Sequence, residues 1–277
     1  MFAKKLSRRI VFAAAVALGG LSLPWSSAPT LGVGVALVDE PAAAKLPSGE
    51  EILDAYVKAT GGADAYTKLE NRTSTGSVDI PAVGIKGSIV TVQAAPNKAR
   101  ITMDLPGVGK SEQGTDGETV WEKNPVTGVR ILEGAERDMM LRQLRFNAEL
   151  NWKESYKSAE TVTVEDVEGK PAYKVKLTAH DGSVTHNYYD KESGLLLKSD
   201  SIYKSQMGDM PISVLVGEYK EVDGIKMPML ATQTLQGMQM KLVTESVQHN
   251  TTLAADAFEL PEEVKALKAK AAGTPGN

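Results

Sequence analysis

The chain has 277 residues, no cysteine and a formal net charge of −4 at pH 7. Without cysteine it can form neither disulfides nor thiolate metal sites, and it lacks the residue on which bacterial lipoproteins are acylated. A mildly acidic chain without a basic run is a poor nucleic-acid binder, and charge alone will not hold it on anionic lipid headgroups. The length allows one large β domain or two small ones, with a sizeable core.

Residues 1–44 are predicted to be an export signal followed by a spacer. The apolar stretch 10–23 is short for a membrane span, and four basic residues precede it: Lys4, Lys5, Arg8 and Arg9. Small residues offer cleavage sites after Ala28, Ala36 or Ala44. Two alternatives stay open, namely an uncleaved N-terminal anchor and, from the partial motif at residues 7–12, the twin-arginine export route.

Folded structure is predicted to begin at Ser48. Ser48 and Glu51 have the spacing of a capping box, in which each residue satisfies a free backbone N–H of the first helical turn. Apolar residues then recur at helical spacing until Gly61, which ends the helix. A second helical turn is expected over residues 63–69.

A long antiparallel sheet is predicted from residue 71 to residue 248. Apolar and polar residues alternate there, as in strands with one buried and one solvent-facing side. Asp-Gly pairs at 116–117, 181–182 and 223–224 indicate tight hairpins, so neighbouring strands should pair antiparallel. The candidate strands are 72–79, 84–93, 98–105, 109–115, 119–123, 160–165, 172–178, 184–189, 195–203, 212–218, 227–234 and 238–246.

One amphipathic helix is predicted to interrupt the sheet, over residues 133–150. Met140, Leu141 and Leu144 fall on one side of it, and its arginines lie largely elsewhere. Such a helix presses its apolar side onto a sheet and covers a concave surface. Ordinary core packing explains the same pattern.

No residue pattern indicates catalysis or metal binding. His180, His186 and His249 lack the spacing of a metal site, and the carboxylates are scattered. The chain contains no nucleophile elbow, P-loop or dinucleotide fingerprint. We therefore expect no enzymatic activity, no metal and no cofactor.

The methionines are the more informative residues, because methionine suits surfaces that accommodate varied apolar ligands. Core filling is the alternative explanation. Ten residues are expected to line an apolar hollow and the helix that covers it: Met103, Trp121, Met140, Leu141, Leu144, Val175, Leu177, Met238, Met240 and Leu242.

Several stretches, taken in order, resemble the LolA/LolB-like family of envelope lipoprotein-carrier domains. The resemblance covers residues 50–261. It rests on the N-terminal helix and four motifs: Pro-Asn-Lys-Ala-Arg-Ile at 96–101, Thr-Asp-Gly-Glu-Thr-Val-Trp at 115–121, Tyr-Asp-Lys-Glu-Ser-Gly-Leu at 189–195 and Ala-Phe-Glu-Leu-Pro at 257–261. Sorting-type carriers tend to place an arginine directly before the first proline, where this chain has Ala95.

The resemblance implies a mainly β fold with a few helices. Residues 48–261 would form one unclosed antiparallel β-barrel, or half-barrel, of about eleven strands with helices over its concave face, and 262–277 a flexible tail. The protein would be exported to the periplasm or cell envelope of a bacterium. There it would bind lipid, lipoprotein acyl chains or another long apolar ligand, without enzyme activity or cofactor.

Two other functions stay open. One is a sensor or scaffold module that binds another envelope protein, with the hollow filled by its own side chains. The other is a hydrolase whose site is not recognised in the sequence. A carrier should co-purify with lipid, a scaffold with a protein, and a hydrolase should show a buried carboxylate or histidine pair in a cleft. We expect a monomer with no nucleic-acid partner and leave transient membrane contact open.

Overall fold

The computed structural model describes residues 45–125, 127–205 and 208–272. The export signal and spacer predicted over residues 1–44, and the last five residues of the predicted tail, lie outside this described part. Its helices are α1 (Gly49–Ala59), α2 (Ala63–Tyr66), a 3-10 turn (Pro81–Val83), α3 (Gly134–Leu144), α4 (Trp152–Ser155) and α5 (Glu262–Ala272). None of the helices in the described residues is long and apolar enough to cross a bilayer.

The described residues also form thirteen strands in one sheet. In chain order these are β1 (Asn71–Ile80), β2 (Ile85–Ala94), β3 (Lys98–Leu105), β4 (Gly109–Thr115), β5 (Val120–Asn124), β6 (Gly128–Ile131), β7 (Tyr156–Val167), β8 (Lys170–Ala179), β9 (Val184–Asp190), β10 (Leu196–Ser205), β11 (Gly208–Val222), β12 (Ile225–Leu235) and β13 (Met238–His249). The sequence pattern predicted twelve of these strands and missed β6, whereas the family resemblance implied about eleven.

The strand order explains the shape of the sheet. It runs β6-β5-β4-β3-β2-β1-β13-β12-β11-β10-β9-β8-β7, and every neighbouring pair is antiparallel. β6 and β7 follow each other in the chain but occupy opposite edges. Residues 132–155, which we call the crossover segment, connect these edges and contain α3 and α4. The predicted mainly β fold with an unclosed antiparallel sheet is therefore confirmed.

The sheet curls until both of its arms reach α3. Glu136 in the first turn of α3 accepts a hydrogen bond from Arg130 of β6 and another from Tyr203 of β10, at 2.9 and 3.1 Å. These two strands are nine places apart in the sheet order. Further along α3, Arg142 donates to Asp181, in the turn between β8 and β9, at 3.0 Å. We call the side of the sheet that faces α3 the concave face.

The N-terminal helices pack on the same concave face. Ser48 and Glu51 form the predicted capping box at the start of α1. The apolar side of α1 then packs in one cluster with β8 and β9: Ile52, Leu53, Tyr56, Val175, Leu177 and Tyr189. Tyr66 of α2 packs beside it with Phe146 of the crossover segment and Ile225 of β12.

The long helix predicted over residues 133–150 is shorter in the structure. Arg145 leaves helical geometry, with φ −59° and ψ 130°, and Asn147 has φ 50°. Tertiary contacts hold this break, because the Phe146 amide donates to Pro96 O at 3.2 Å and Asn147 Nδ2 donates to Tyr66 O at 3.0 Å. The crossover segment is therefore a helix, a sharp turn and the single helical turn α4.

The segment after Pro261 continues the packed structure. α5 buries Val264 completely, and Lys268 Nζ donates to Thr119 Oγ1 at 3.0 Å, next to β5. Glu263 forms an ion pair with Lys123 of β5. Residues 262–272 are thus attached to the β5–β6 end of the sheet.

Candidate functional site

The concave face is incompletely covered at the middle of the sheet. Met238, Met240 and Leu242 of β13 point to this face and are partly exposed, whereas the intervening Gln239 and Lys241 are exposed on the other, convex face. This alternation is the one expected for a strand with one solvent-facing side. The helices therefore cover the two arms of the sheet more fully than its centre.

A hollow of about 230 Å³ lies at this centre, between β1, β2, β12 and β13. Its apolar wall consists of Ile89, Met227, Ala231 and Leu242. Its polar wall consists of Arg72, Ser74, Thr91, Gln93 and Thr244. The hollow therefore offers an apolar ligand a surface with several hydrogen-bonding groups.

Four of the ten predicted lining residues come together at the apolar end of this hollow. Met103, Met238, Met240 and Leu242 pack in one cluster around the buried side chains of Val78, Ile80 and Leu105. The cluster extends the apolar wall, because Leu242 belongs to both. Three of its four predicted members are methionines, which can repack around different apolar shapes.

Five further predicted residues lie on the concave side but are separate from this cluster. Met140 and Leu144 are buried, and Leu141 partly so, where α3 packs against β3 and β5. Val175 and Leu177 are 0% and 3% exposed because α1 covers them. The structure therefore places three of the five in the cover over the concave face and two beneath α1.

Trp121 lies on the opposite face of the sheet and does not line the hollow. Its neighbour Val120 packs with Met140 and Leu144, so alternation along β5 turns Trp121 away from α3. Its ring lies 5.6 Å from the guanidinium of Arg100, which faces the same way on β3. Both faces of β5 are buried. The apolar character of Trp121 therefore did not show which face of the strand it occupies.

Several residues of the hollow were not predicted from the sequence, notably Ile89, Met227 and Arg72. Strict alternation along β2 places Ile89 on the same face as Thr91 and Gln93, so this signal was available. Arg72 carries no such signal, since a charged residue near the start of a strand is normally expected to face solvent.

Arg72 belongs to a row of hydrogen-bonded side chains at the polar end of the hollow. Its Nε donates to His249 Nε2 at 3.0 Å, and its Nη2 donates to Asn147 Oδ1 at 3.3 Å. Because His249 Nε2 accepts this bond, the imidazole is neutral and its Nδ1 donates to Asp223 Oδ2 at 2.9 Å. The row connects the β11–β12 turn, β13 and β1 to the crossover segment.

Stability should depend on pH through His249. Its side chain is 1% exposed, and burial lowers its pKa, as does the charge of Arg72, while Asp223 opposes the shift. In the unfolded chain histidine takes up a proton near pH 6.5. The neutral folded form therefore contributes full stability above about pH 6.5, and this contribution is lost as the pH falls towards the lower folded pKa.

We expect His249→Gln to flatten this dependence, because glutamine does not titrate. The measurement is the free energy of unfolding by urea between pH 7.5 and 5.5. His180→Gln, in the exposed turn after β8, is the control and should retain the wild-type slope. Equal slopes in all three proteins would show that His249 does not titrate differently in the folded state.

A second polar group holds the start of α3. Arg130 donates from Nε to Glu122 and from both Nη atoms to Glu136, and the hydrogen bonds to Glu136 raise the pKa of Arg130. Burial and the charge of Glu136 raise the pKa of Tyr203. Glu136 of α3 and Glu122 of β5 bind the same guanidinium, which holds the start of α3 against β5 and β6. In the described residues, no group of three or more His, Asp or Glu side chains is placed to hold a metal ion.

No protein-family model matches the sequence, and no curated protein matches it. Solved structures match the fold. A DUF1329 family protein from Desulfovibrio piger is 16% identical, with a TM-score of 0.55 over 76% of this chain and 97% of its own. A LolA superfamily protein from Nitrosomonas europaea is 12% identical, with a TM-score of 0.54 over 78% and 99%.

A domain classed as an outer membrane lipoprotein-sorting protein, from Vibrio parahaemolyticus, is 13% identical, with a TM-score of 0.50 over 78% of this chain and 97% of its own. Each match spans nearly the whole of the other chain, so the likeness concerns a complete domain. Identities this low show the fold alone. The chain therefore has the open half-barrel fold of LolA superfamily proteins.

Proposed function

We propose that this protein is an exported binder or carrier of lipid, lipoprotein acyl chains or another long apolar ligand. The observation that carries the proposal is the hollow of about 230 Å³, whose apolar wall stays partly exposed between regions that helices cover. Exposed apolar surface gathered in a concavity is typical of ligand sites. A ligand would be held mainly by burial, at roughly 25 cal/mol per Å² of apolar surface.

Two further observations support binding rather than catalysis. The structures with this fold include a domain classed with lipoprotein sorting. His249 and Asp223 have the composition of a catalytic pair, but the Asp223 side chain is 59% exposed, and His249 Nε2, the atom that would act as a base, accepts a hydrogen bond from Arg72. A histidine whose acceptor nitrogen is occupied by an arginine does not activate a nucleophile.

A scaffold that binds an envelope protein is the second candidate. The observation that favours it is the extent to which helices already fill the concave face, since Val175 and Leu177 are fully covered by α1. In that case the remaining hollow would be a packing defect rather than a site, and a protein partner would bind elsewhere on the surface.

The two candidates are separated by what the protein carries. We would purify the protein from its own cell envelope and record native mass spectra, followed by lipid extraction. A carrier should show a bound lipid mass that disappears on extraction, and the extracted protein should then bind a fluorescent fatty acid. Protein without lipid, unable to bind the probe and accompanied by a stoichiometric protein partner, would exclude the carrier.

Export to the periplasm or cell envelope is part of the same proposal and rests on the basic and apolar residues of the N-terminus. The mature protein should begin between Pro29 and Lys45. N-terminal sequencing of envelope material tests this. Finding residues 1–20 intact would contradict cleavage and favour a membrane-tethered form.

A further inference from the structure

Arg72 is a cation at the wall of the hollow without a carboxylate partner. Within the described residues its hydrogen bonds go to the neutral groups of His249 and Asn147, and its guanidinium lies 5.3 Å from the Phe146 ring centre. Glu149 acts on it only through longer-range charge attraction. Four of the other five arginines in the described residues form ion pairs with carboxylates: Arg130, Arg137, Arg142 and Arg145. The fifth, Arg100, donates to the backbone carbonyl of Glu259 on the convex side of the sheet.

This arrangement leaves both charge and hydrogen-bonding capacity for a ligand. A partly buried cation without a counter-ion is costly, and an anion in the hollow would remove that cost. Nε and Nη2 of Arg72 are used, whereas Nη1 has no hydrogen-bond acceptor among the described residues. The planar guanidinium suits the oxygens of a carboxylate or a phosphate.

The concave face changes from polar to apolar along β1. Alternate residues of this strand share the concave face, beginning with Arg72 and Ser74 and ending with Val78 and Ile80, over about 26 Å at roughly 3.3 Å per residue. The neighbouring strands also change from polar to apolar in this direction. The polar Arg72 pairs with the polar Gln93 of β2, and the apolar Val78 pairs with the apolar Leu242 of β13. The polar residues of adjacent strands therefore lie side by side, as do the apolar ones.

The volume of the hollow matches part of one acyl chain. An apolar cavity of about 150 Å³ takes a benzene molecule, and pockets for drug-sized ligands hold roughly 300–1,000 Å³. The 230 Å³ observed lies between these sizes.

From these observations we infer that the ligand is a single-chain amphiphile with an anionic head, whose carboxylate or phosphate pairs with Arg72. Its chain runs along β1 towards Met103 and Met240. The inference rests on the proposed function for the apolar chain and adds the charge and position of the head.

The test compares ligands that share one chain. Delipidated full-length protein would be titrated at pH 8, below micelle formation, with oleate, oleyl alcohol and oleoyl lysophosphatidate. We expect the wild type to bind oleate at least about tenfold more tightly than the alcohol, as a charged hydrogen bond implies. Comparing the affinities for oleate and for the lysophosphatidate distinguishes a carboxylate head from a phosphate head. The ligand that binds more tightly shows which head group the site prefers.

Variants of Arg72 then test whether this residue causes the preference for oleate over oleyl alcohol. Arg72→Gln should bind oleate and the alcohol equally, and Arg72→Lys should keep part of the preference for oleate. Arg137→Gln removes a partly exposed arginine of α3 that pairs with Asp138 and should behave as wild type. If Arg72→Gln does not fold, a reduced preference in Arg72→Lys, which keeps the charge but not the planar fork, provides the same test.

The possible failures are distinguishable. Wild-type protein that binds oleate and the alcohol equally would overturn the inference and leave the proposed function intact. A preference that survives in Arg72→Gln would also overturn it, because the anion would then have another partner. Failure of the wild type to bind any of the three ligands would reject the proposed function itself.

Discussion

Met240→Asp is expected to weaken binding of an apolar ligand by well over tenfold, whereas Gln239→Asp, one residue earlier on β13, should change it little. Met240 lies in the apolar cluster with Met103 and Leu242, and Gln239 is exposed on the convex face. A polar group among apolar side chains without a partner costs roughly 2–7 kcal/mol, and the partial exposure of Met240 reduces this. The same substitution at two adjacent positions thus separates the two faces of the strand.

The measurement is titration with a fluorescent fatty acid, together with the free energy of unfolding from urea denaturation. Both variants add one negative charge, so general electrostatic repulsion of an anionic probe affects them alike. Met240→Asp should also lower stability, while Gln239→Asp should remain within about 0.5 kcal/mol of wild type, as surface substitutions usually do. Similar losses of affinity in the two variants would show that β13 does not present Met240 to the ligand.

Features encoded by nearby residues were predictable from the sequence. The capping box of Ser48 and Glu51 needs only residues three positions apart, and the structure shows it at the start of α1. The pairs Asp181-Gly182 and Asp223-Gly224 fall between paired strands, as the turn residues indicated. Alternation placed Met238, Met240 and Leu242 on one face for the same local reason.

Features that depend on distant partners were not predictable. Trp121 and Val120 are both apolar, and only the position of α3 shows which of them lies on the concave face. The end of α3 at Leu144 depends on the hydrogen bond from Phe146 N to Pro96 O, fifty residues earlier in the chain. The role of Arg72 requires the pairing of β1 with β13, which brings residue 249 beside residue 72.

β6 shows a third limit. It has only four residues, Gly128–Ile131, too few for alternation to stand out, and it occupies the edge of the sheet. Its position at this edge decides the topology, because it makes the crossover segment span from one edge to the other. A short edge strand with little pattern of its own thus determined how the concave face is covered.

α3 is expected to exchange its amide hydrogens faster than strands β8 and β13, and to become protected when lipid is added. It lies over the concave face. Its start is held by Glu136, which accepts hydrogen bonds from Arg130 and Tyr203, and its last turn by Arg142, which donates to Asp181 and Ser183 at 3.0 and 2.8 Å. Gln93 Nε2 donates to Leu144 O at 3.3 Å. Segments that gate binding sites belong to the less stable parts of a fold.

Leu144→Ala should increase this exchange further. Leu144 is 3% exposed and packs with Ala99, Val120 and Leu132, so truncating it should cost about 2–5 kcal/mol. Gln143→Ala, at the exposed neighbouring position, is the matched control and should leave exchange in α3 unchanged. Hydrogen exchange followed by mass spectrometry, with and without oleate, resolves α3 from the strands. Exchange in α3 that equals the strands and does not respond to lipid would mean that the helix is fixed core packing. The scaffold would then replace the carrier as the function this fold supports.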